Sequence, residues 1–313
     1  LRYLYLFGPV PSRRLGSSLG IDLVPYKTCT LDCVYCECGE TTDLTDIRAE
    51  YVPTDEVIRE LDDFLSKRPR IDYLTFSGSG EPTLHSGIGK IISFLKKQHP
   101  DYKIALLTNG TLFFDPEVRR EVMDCDVILP SLDAGTEGVF KKINRPHENI
   151  TLKKLLKGLI ELRREFSGKI WLEVMVIPGL NDSEEELEAI RKHLLDIGAN
   201  RIQINSLDRP STEEWVRPTK GAVLERIASI LGGEAVGKPS DVVGHDSFSE
   251  DALDKIVSTI RRRPCTADDL AKILGIHLNE VNKYLNYLSE TGKVHGEKKE
   301  RGMFFSMARD ESS

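Results

Sequence analysis

Two hydrophobic rhythms alternate along the first two-thirds of this chain. Short apolar runs at 21–24, 73–77, 103–108, 127–132, 169–177 and 201–207 are β-branched or leucine-rich. Most of them show little polar alternation, which is the pattern of strands buried on both faces. Between them the apolar positions space out to the helical period, predicting helices at 55–67, 88–98, 116–123, 152–166 and 184–195, with one more at 221–231. The fifth helix is well marked: Ser183 and Glu186 predict a capping box, and Leu187, Ile190 and Leu194 share one face. Six strand–helix units in succession predict an α/β fold with a parallel sheet and right-handed crossovers. Periodicity leaves open whether that sheet is doubly wound or an incomplete barrel.

Past residue 231 the rhythm changes. Residues 232–249 are polar and glycine-rich, with Gly232, Gly233, Gly237 and Gly244, and read as a linker. An amphipathic helix follows at 251–263, carrying Leu253, Ile256, Val257 and Ile260. Thr266 and Asp269 open a second helix at 270–274, Gly275 makes a turn, and 277–290 carries Val281, Leu285 and Leu288 at helical spacing. Two short strands, 293–294 and 303–305, flank a charged tip at 296–302. This layout predicts a small winged helix-turn-helix domain. The expected domains are therefore 1–231, a linker at 232–249, and 250–313.

Charge narrows the partners. The 313 residues hold 43 basic and 50 acidic side chains, a net charge of −7. Residues 247–313 are balanced at 11 of each, so the acidic excess lies in the first 246. Neither part is charged for nonspecific binding to phosphate. Hydrophobic residues at 40% exclude a wholly disordered chain. No window approaches the roughly 18 apolar residues of a membrane span. Residues 1–14 lack the apolar core and small-residue cleavage site of a secretory signal. The cytoplasm is thus the expected compartment, and the six cysteines are expected as thiols or metal ligands.

The sharpest chemical signal is Cys29, Cys33 and Cys36, in CxxxCxxC spacing after the first predicted strand. Three thiolates so close can hold three irons of a [4Fe–4S] cluster and leave the fourth iron open to an external ligand. A zinc site or inert thiols are the competing readings, although zinc sites usually add a second CxxC or HxxxH and none follows. Polar turns sit at the ends of the next three predicted strands: Gly78, Ser79, Gly80, Glu81 and Pro82; then Asn109 and Gly110; then Ser131 and Asp133. Parallel βα architectures place active sites at these carboxyl ends.

With these motifs in order over residues 5–230, the chain resembles the radical S-adenosylmethionine (radical SAM) enzymes. The resemblance implies a partial (βα)6 TIM-like barrel, with the cluster on Cys29, Cys33 and Cys36. It implies that Tyr35 lies near the SAM adenine. The turn Gly78, Ser79, Gly80, Glu81 is similar to the family's GGEP motif, which takes the amino group of SAM; here Ser79 replaces the first glycine. Asn109, Ser131 and Asp133 stand where family members contact the methionine and ribose moieties. The implied activity is reductive cleavage of SAM to methionine and a 5′-deoxyadenosyl radical that abstracts hydrogen from a substrate. A low-potential electron donor of ferredoxin or flavodoxin type is implied with it.

Residues 7–16 and 141–146 further resemble a prokaryotic branch related to the wyosine synthases, which rebuild a guanine of tRNA. No cysteine stands among residues 1–28, so the second cluster of those enzymes is not expected here. An RNA (tRNA) base is the first expected substrate, a peptide or protein the second, a small metabolite the third. Arg13, Arg14 and Arg145 are candidates for a substrate carboxylate or phosphate. Glu173, Gln203 and Asn205 are polar residues in predicted strands, and Cys38 stands two positions past the cluster motif. Each also has a plain structural reading as a salt bridge, a satisfied core polar group or an incidental thiol. A different class of function, an iron–sulfur redox sensor that binds DNA through the winged helix, competes with the enzyme reading.

Overall fold

A computed structural model describes residues 3–12, 14–25, 27–36, 38–207, 211–213, 215–236, 251–275, 281, 284–285, 288–289, 291–299 and 302–308. The chain opens with a hairpin, β1 (Leu6–Ser12) and β2 (Gly16–Ile21), then a short pair, β3 (Thr28–Cys29) and β4 (Asp43–Leu44). Strands and helices then alternate: α1 (Thr54–Ser66), β5 (Tyr73–Phe76), α2 (Ile88–Gln98), β6 (Lys103–Thr108), α3 (Pro116–Glu121) and β7 (Val127–Pro130). They continue through α4 (Glu137–Asn144), α5 (Leu152–Glu165), β8 (Lys169–Met175), α6 (Glu184–Ile197), β9 (Arg201–Asn205), α7 (Gly221–Leu231) and β10 (Glu234–Ala235). Among the described residues the sheet has eight strands in the order β1-β2-β5-β6-β7-β8-β9-β10. All its pairings are parallel except that of β1 with β2. The fold is α/β with a mostly parallel sheet, and no helix among the described residues is long and apolar enough to cross a membrane.

Alternate strand residues divide between two cores. Leu74, Phe76, Ile104, Leu106, Ile128, Ile170, Leu172, Val174 and Ile204 join the apolar faces of the helices in the main core. Ala105, Val127 and Leu129 face the other way, where they meet Leu15, Tyr73, Leu107 and Trp171. Both faces of β6 and β7 are thus covered, which is why these two runs lack polar alternation.

Three local details depart from the sequence reading. The first parallel strand runs over Gly16–Ile21, not 21–24, and carries an antiparallel partner. Its glycines and serines hide it from a hydrophobicity scan; a side chain on Gly20 would strike the Phe7 ring at 2.1 Å, so the small residue is what lets the hairpin close. The capping box on α6 is half formed. Ser183 accepts from Glu186 N, but the Glu186 carboxylate turns away to accept from Gly135 N, Thr136 N and Thr136 Oγ1 beyond β7. Finally, β10 lies inside the stretch read as linker, and pairs with β9.

After residues 237–250, which lie outside the described set, come α8 (Asp251–Arg262), β11 (Cys265–Thr266), α9 (Ala267–Leu274), β12 (Val294–Lys299) and β13 (Gly302–Met307). The strands form a three-stranded sheet, β11-β13-β12, over a core of Ile256, Ile260, Leu270, Val281, Leu285 and Leu288. The Thr266–Asp269 capping box is complete. Most of the helix expected at 277–290 lies outside the described residues.

Candidate functional site

The cysteine loop leaves β2, forms β3, and is pinned from below. Val34, fully buried, packs with Ile143, Ile177 and Val216. Main-chain bonds from Asp32 N to Asn144 O (3.0 Å) and Val34 N to Ile143 O (2.9 Å) fasten the loop to α4. Each of the three sulfurs then meets a side-chain N–H donor. Asn109 Nδ2 is 3.5 Å from Cys29 Sγ, Asn144 Nδ2 is 3.4 Å from Cys33 Sγ, and Lys27 Nζ is 3.0 Å from Cys36 Sγ. Asn109 belongs to the expected set. Lys27 and Asn144 do not, although Asn144 lies within the 141–146 motif.

The electrostatics of the three thiols differ. Burial pushes Cys29 up to about 12 and Cys33 well above its ordinary value. Cys36 is brought down to about 6, by a hydrogen bond from Cys38 first and, against burial, by the Lys27 ammonium. Burial alone would lower Lys27, but Cys36 first, then Cys29 and Cys38, together outweigh it and hold the ammonium above its ordinary value.

The polar turns after β5 and β6 are locked together by one carboxylate. Glu81, 2% exposed, accepts from Thr83 N (3.0 Å), Thr83 Oγ1 (2.6 Å), Thr108 Oγ1 (2.6 Å) and Asn109 N (2.7 Å). Burial raises this carboxyl even so. A side chain on Gly80 would sit 2.0 Å from the Thr28 carbonyl, so this turn lies directly against the cysteine loop. Ser79 donates to Asp22 Oδ2 through its main-chain N–H (3.3 Å) and its hydroxyl (3.2 Å), and Cys38 Sγ points to Gly78 O at 3.8 Å.

Asp133, expected against SAM, has both oxygens engaged within the protein. Oδ2 accepts from Tyr35 Oη (2.5 Å) and Asn144 Nδ2 (2.8 Å), and Oδ1 accepts from Met175 N (2.9 Å). Burial raises both Asp133 and Tyr35, so the tyrosine stays a phenol and a donor. Asp133 thus fixes the ring of Tyr35 and, through Asn144, the sulfur of Cys33. Ser131 bridges the backbone of Glu173 beside it.

Of the substrate candidates, Arg14 reaches Glu173 in an ion pair whose side chains are 18% and 16% exposed. Glu173 lies beside Gln203, and Met175 beside Asn205, across the β8–β9 register. The side-chain oxygens of Gln203 and Asn205 are buried without a hydrogen-bond partner among the described residues. Arg145 pairs with Asp32 of the cysteine loop (3.7 Å) and with Glu213 (2.6 Å). Arg13 lies outside the described residues.

Among the described residues, no three Cys, His, Asp or Glu side chains converge as one metal ion would need. Three cysteines that each hold a different iron of a cluster need no such convergence, and three N–H donors suit thiolate sulfurs in that role.

The profile of the Radical SAM superfamily matches residues 23–192, which contain the cysteine loop and every polar turn described above. A protein named GTPase Obg from Brachyspira hyodysenteriae is 36% identical over 300 residues, and the match covers 93% of this chain but only 43% of that protein. A UPF0026 protein of Methanocaldococcus jannaschii is 32% identical over 291 residues, covering 90% of each chain. The crystal structure of a radical SAM methyltransferase from Sphaerobacter thermophilus superposes with a TM-score of 0.56 at 17% identity, covering 70% of this chain and 64% of that one, a likeness of fold. Members of the superfamily use a [4Fe–4S] cluster and S-adenosylmethionine. The chain belongs to the radical SAM superfamily and, by its match to the methanogen protein along nearly its whole length, to the UPF0026 proteins.

Proposed function

We propose that this protein is a cytoplasmic radical SAM enzyme acting on a base in RNA, with a [4Fe–4S] cluster on Cys29, Cys33 and Cys36. SAM would lie against Tyr35, the turn Gly78, Ser79, Gly80, Glu81, and Asn109, with Ser131 and Asp133 behind it. When bound, the cluster supplies the electron, drawn from a ferredoxin- or flavodoxin-type donor, that cleaves SAM to methionine and a 5′-deoxyadenosyl radical. The observation that carries the reading is the set of three side-chain N–H donors, one reaching each cysteine sulfur. Hydrogen bonds to thiolate sulfur stabilise the negative charge that a bound cluster places there.

The chain's own work is orientation. Glu81 holds the two SAM-facing turns in register, and Asp133 holds the Tyr35 ring. The sheet face away from the helices is read as the inside of a partial barrel, with Glu173, Gln203 and Asn205 on that face. The buried amide oxygens of Gln203 and Asn205 call for N–H donors from a bound molecule, which the amino edge of a nucleobase offers. The C-terminal region is read as a winged helix whose β12–β13 hairpin, with Lys298 and Lys299, would grip the polymer backbone.

Anaerobic reconstitution is expected to give about four irons per chain and, on reduction with SAM, 5′-deoxyadenosine. Retention of both by a Cys29/Cys33/Cys36→Ala triple variant overturns the assignment. For the substrate, deuterated RNA is expected to transfer deuterium into 5′-deoxyadenosine. Transfer from a peptide or metabolite fraction instead would overturn the RNA reading and leave the cluster reading standing.

A further inference from the structure

The C-terminal region reaches Asp22, the residue that holds the turn proposed to receive SAM. α8 lies against the β1–β2 hairpin, and its last-turn Arg262 lays its guanidinium over the Phe7 ring, 4.4 Å from the centroid. The same group approaches Asp22, at the end of β2, with Nε 3.8 Å from Oδ2 and side chains only 17% and 13% exposed. Asp22 Oδ2 is the oxygen that accepts both hydrogen bonds from Ser79. The Asp22 carboxylate also fills the space beside Gly78, lying 2.2 Å from where that residue's side chain would begin. Its other oxygen is buried with no hydrogen-bond partner among the described residues. Burial opposes the ionised form of Asp22, and Arg262 is the strongest influence that favours it. A cavity of about 240 Å³ opens at the same junction, lined by Asp22, Ser79, Ser258, Arg261 and Arg262 among others.

We propose that Arg262 is a positioning residue for SAM binding: it holds the Asp22 carboxylate in place, and Asp22 holds the Gly78–Ser79–Gly80 turn in the shape that receives the methionine end of SAM. The inference rests on the reading of that turn as a SAM contact. It gives the C-terminal region a task besides substrate binding, because anything that lifts α8 from the hairpin withdraws Arg262 and loosens the turn. Linkage makes the effect reciprocal, so bound SAM should hold α8 down.

The test is SAM affinity, measured anaerobically by equilibrium dialysis on the cluster-loaded full chain. The variants are Arg262→Met, Arg262→Lys, Asp22→Asn and the Asp22→Asn/Arg262→Met pair. Methionine keeps an apolar side chain on Phe7 and removes the charge, whereas lysine restores a cation. The methionine variant should bind SAM at least about fivefold more weakly, the scale of a modest coupling between sites, and lysine should recover most of the loss. The double variant should bind no more weakly than Asp22→Asn alone, because the arginine acts only through the aspartate. On the wild-type chain, where no variant can misfold, SAM should slow amide exchange along α8. An unchanged Kd in Arg262→Met, additive losses in the double variant, or an α8 indifferent to SAM would each overturn the proposal while the SAM reading stands. A wild-type chain that loads iron but binds no SAM fails that reading, and the proposal with it.

Discussion

Glu81 offers the sharpest perturbation because its partners can be counted. Replacing it by alanine leaves two hydroxyls, on Thr83 and Thr108, that can rotate to other acceptors, and two main-chain donors, Thr83 N and Asn109 N, that cannot. A buried donor left without a partner costs about 1–3 kcal/mol, so the two together cost about 2–6 kcal/mol. Glutamine behaves differently. Its oxygen can keep the three bonds made by Oε1, and only the Asn109 N–H then faces an amide NH2 instead of Oε2. Glutamine is also spared the burial of a charge, so its loss should sit near the low end, about 1 kcal/mol. Burial raises the Glu81 carboxyl above its unfolded value, so the folded state holds the extra proton between the two values and wild-type stability falls as pH rises through that interval. The neutral glutamine removes this contribution, and its stability should fall less steeply there. The assay is urea unfolding of the cluster-free chain, followed by the fluorescence of Trp171 and Trp215 at several pH values. Equal losses in the two variants, or no loss in Glu81→Ala, would refute the reasoning.

Other perturbations test the rest of the site. Gly80→Ala places a methyl against the Thr28 carbonyl and should push the cysteine loop, costing about 1–3 kcal/mol; fewer irons per chain with unchanged circular dichroism is expected, and full iron loading would count against the close approach. Arg14→Met leaves Glu173 buried without its cation, for which about 3 kcal/mol is expected at this partial exposure; adding Glu173→Gln should restore most of the lost urea midpoint, and no restoration would show that the pair is not what matters. In the metal-free protein, iodoacetamide at pH 7 should label Cys36 before Cys29, with half-maximal rate near pH 6, and Lys27→Met should move that midpoint up. Peptide mapping that finds Cys29 and Cys36 labelled alike would contradict the roles given to Cys38 and Lys27.

What could be read from the chain, and what could not, follows from the range of the interaction involved. The strands β5, β6 and β7 announce themselves because burial on both faces favours apolar runs, a local property, and β8 and β9 still show Ile, Leu and Val at alternate positions. The hairpin is invisible by the same measure: Pro9, Pro11, Gly16, Ser17, Ser18 and Gly20 carry no rhythm, and the register depends on Phe7 covering Gly20 across two strands. The cysteines, Glu81 and Asn109 stand out because their chemistry needs those residue types at strand ends. The helpers do not, because a lysine, an asparagine or an arginine is ordinary until its neighbour is known. The motif at 141–146 drew attention to Arg145, a charged residue, yet Arg145 is spent on Asp32 and Glu213 while Asn144 beside it meets Cys33 across 111 positions. Asp133 shows the converse: the residue is legible, but the hydrogen bond by which it anchors Tyr35 is not. Arg262 lies furthest out of reach, since its only mark in the sequence is one arginine of three in a row. Residues that bear the reaction are recognisable by kind, whereas residues that hold them in place are recognisable only by distance.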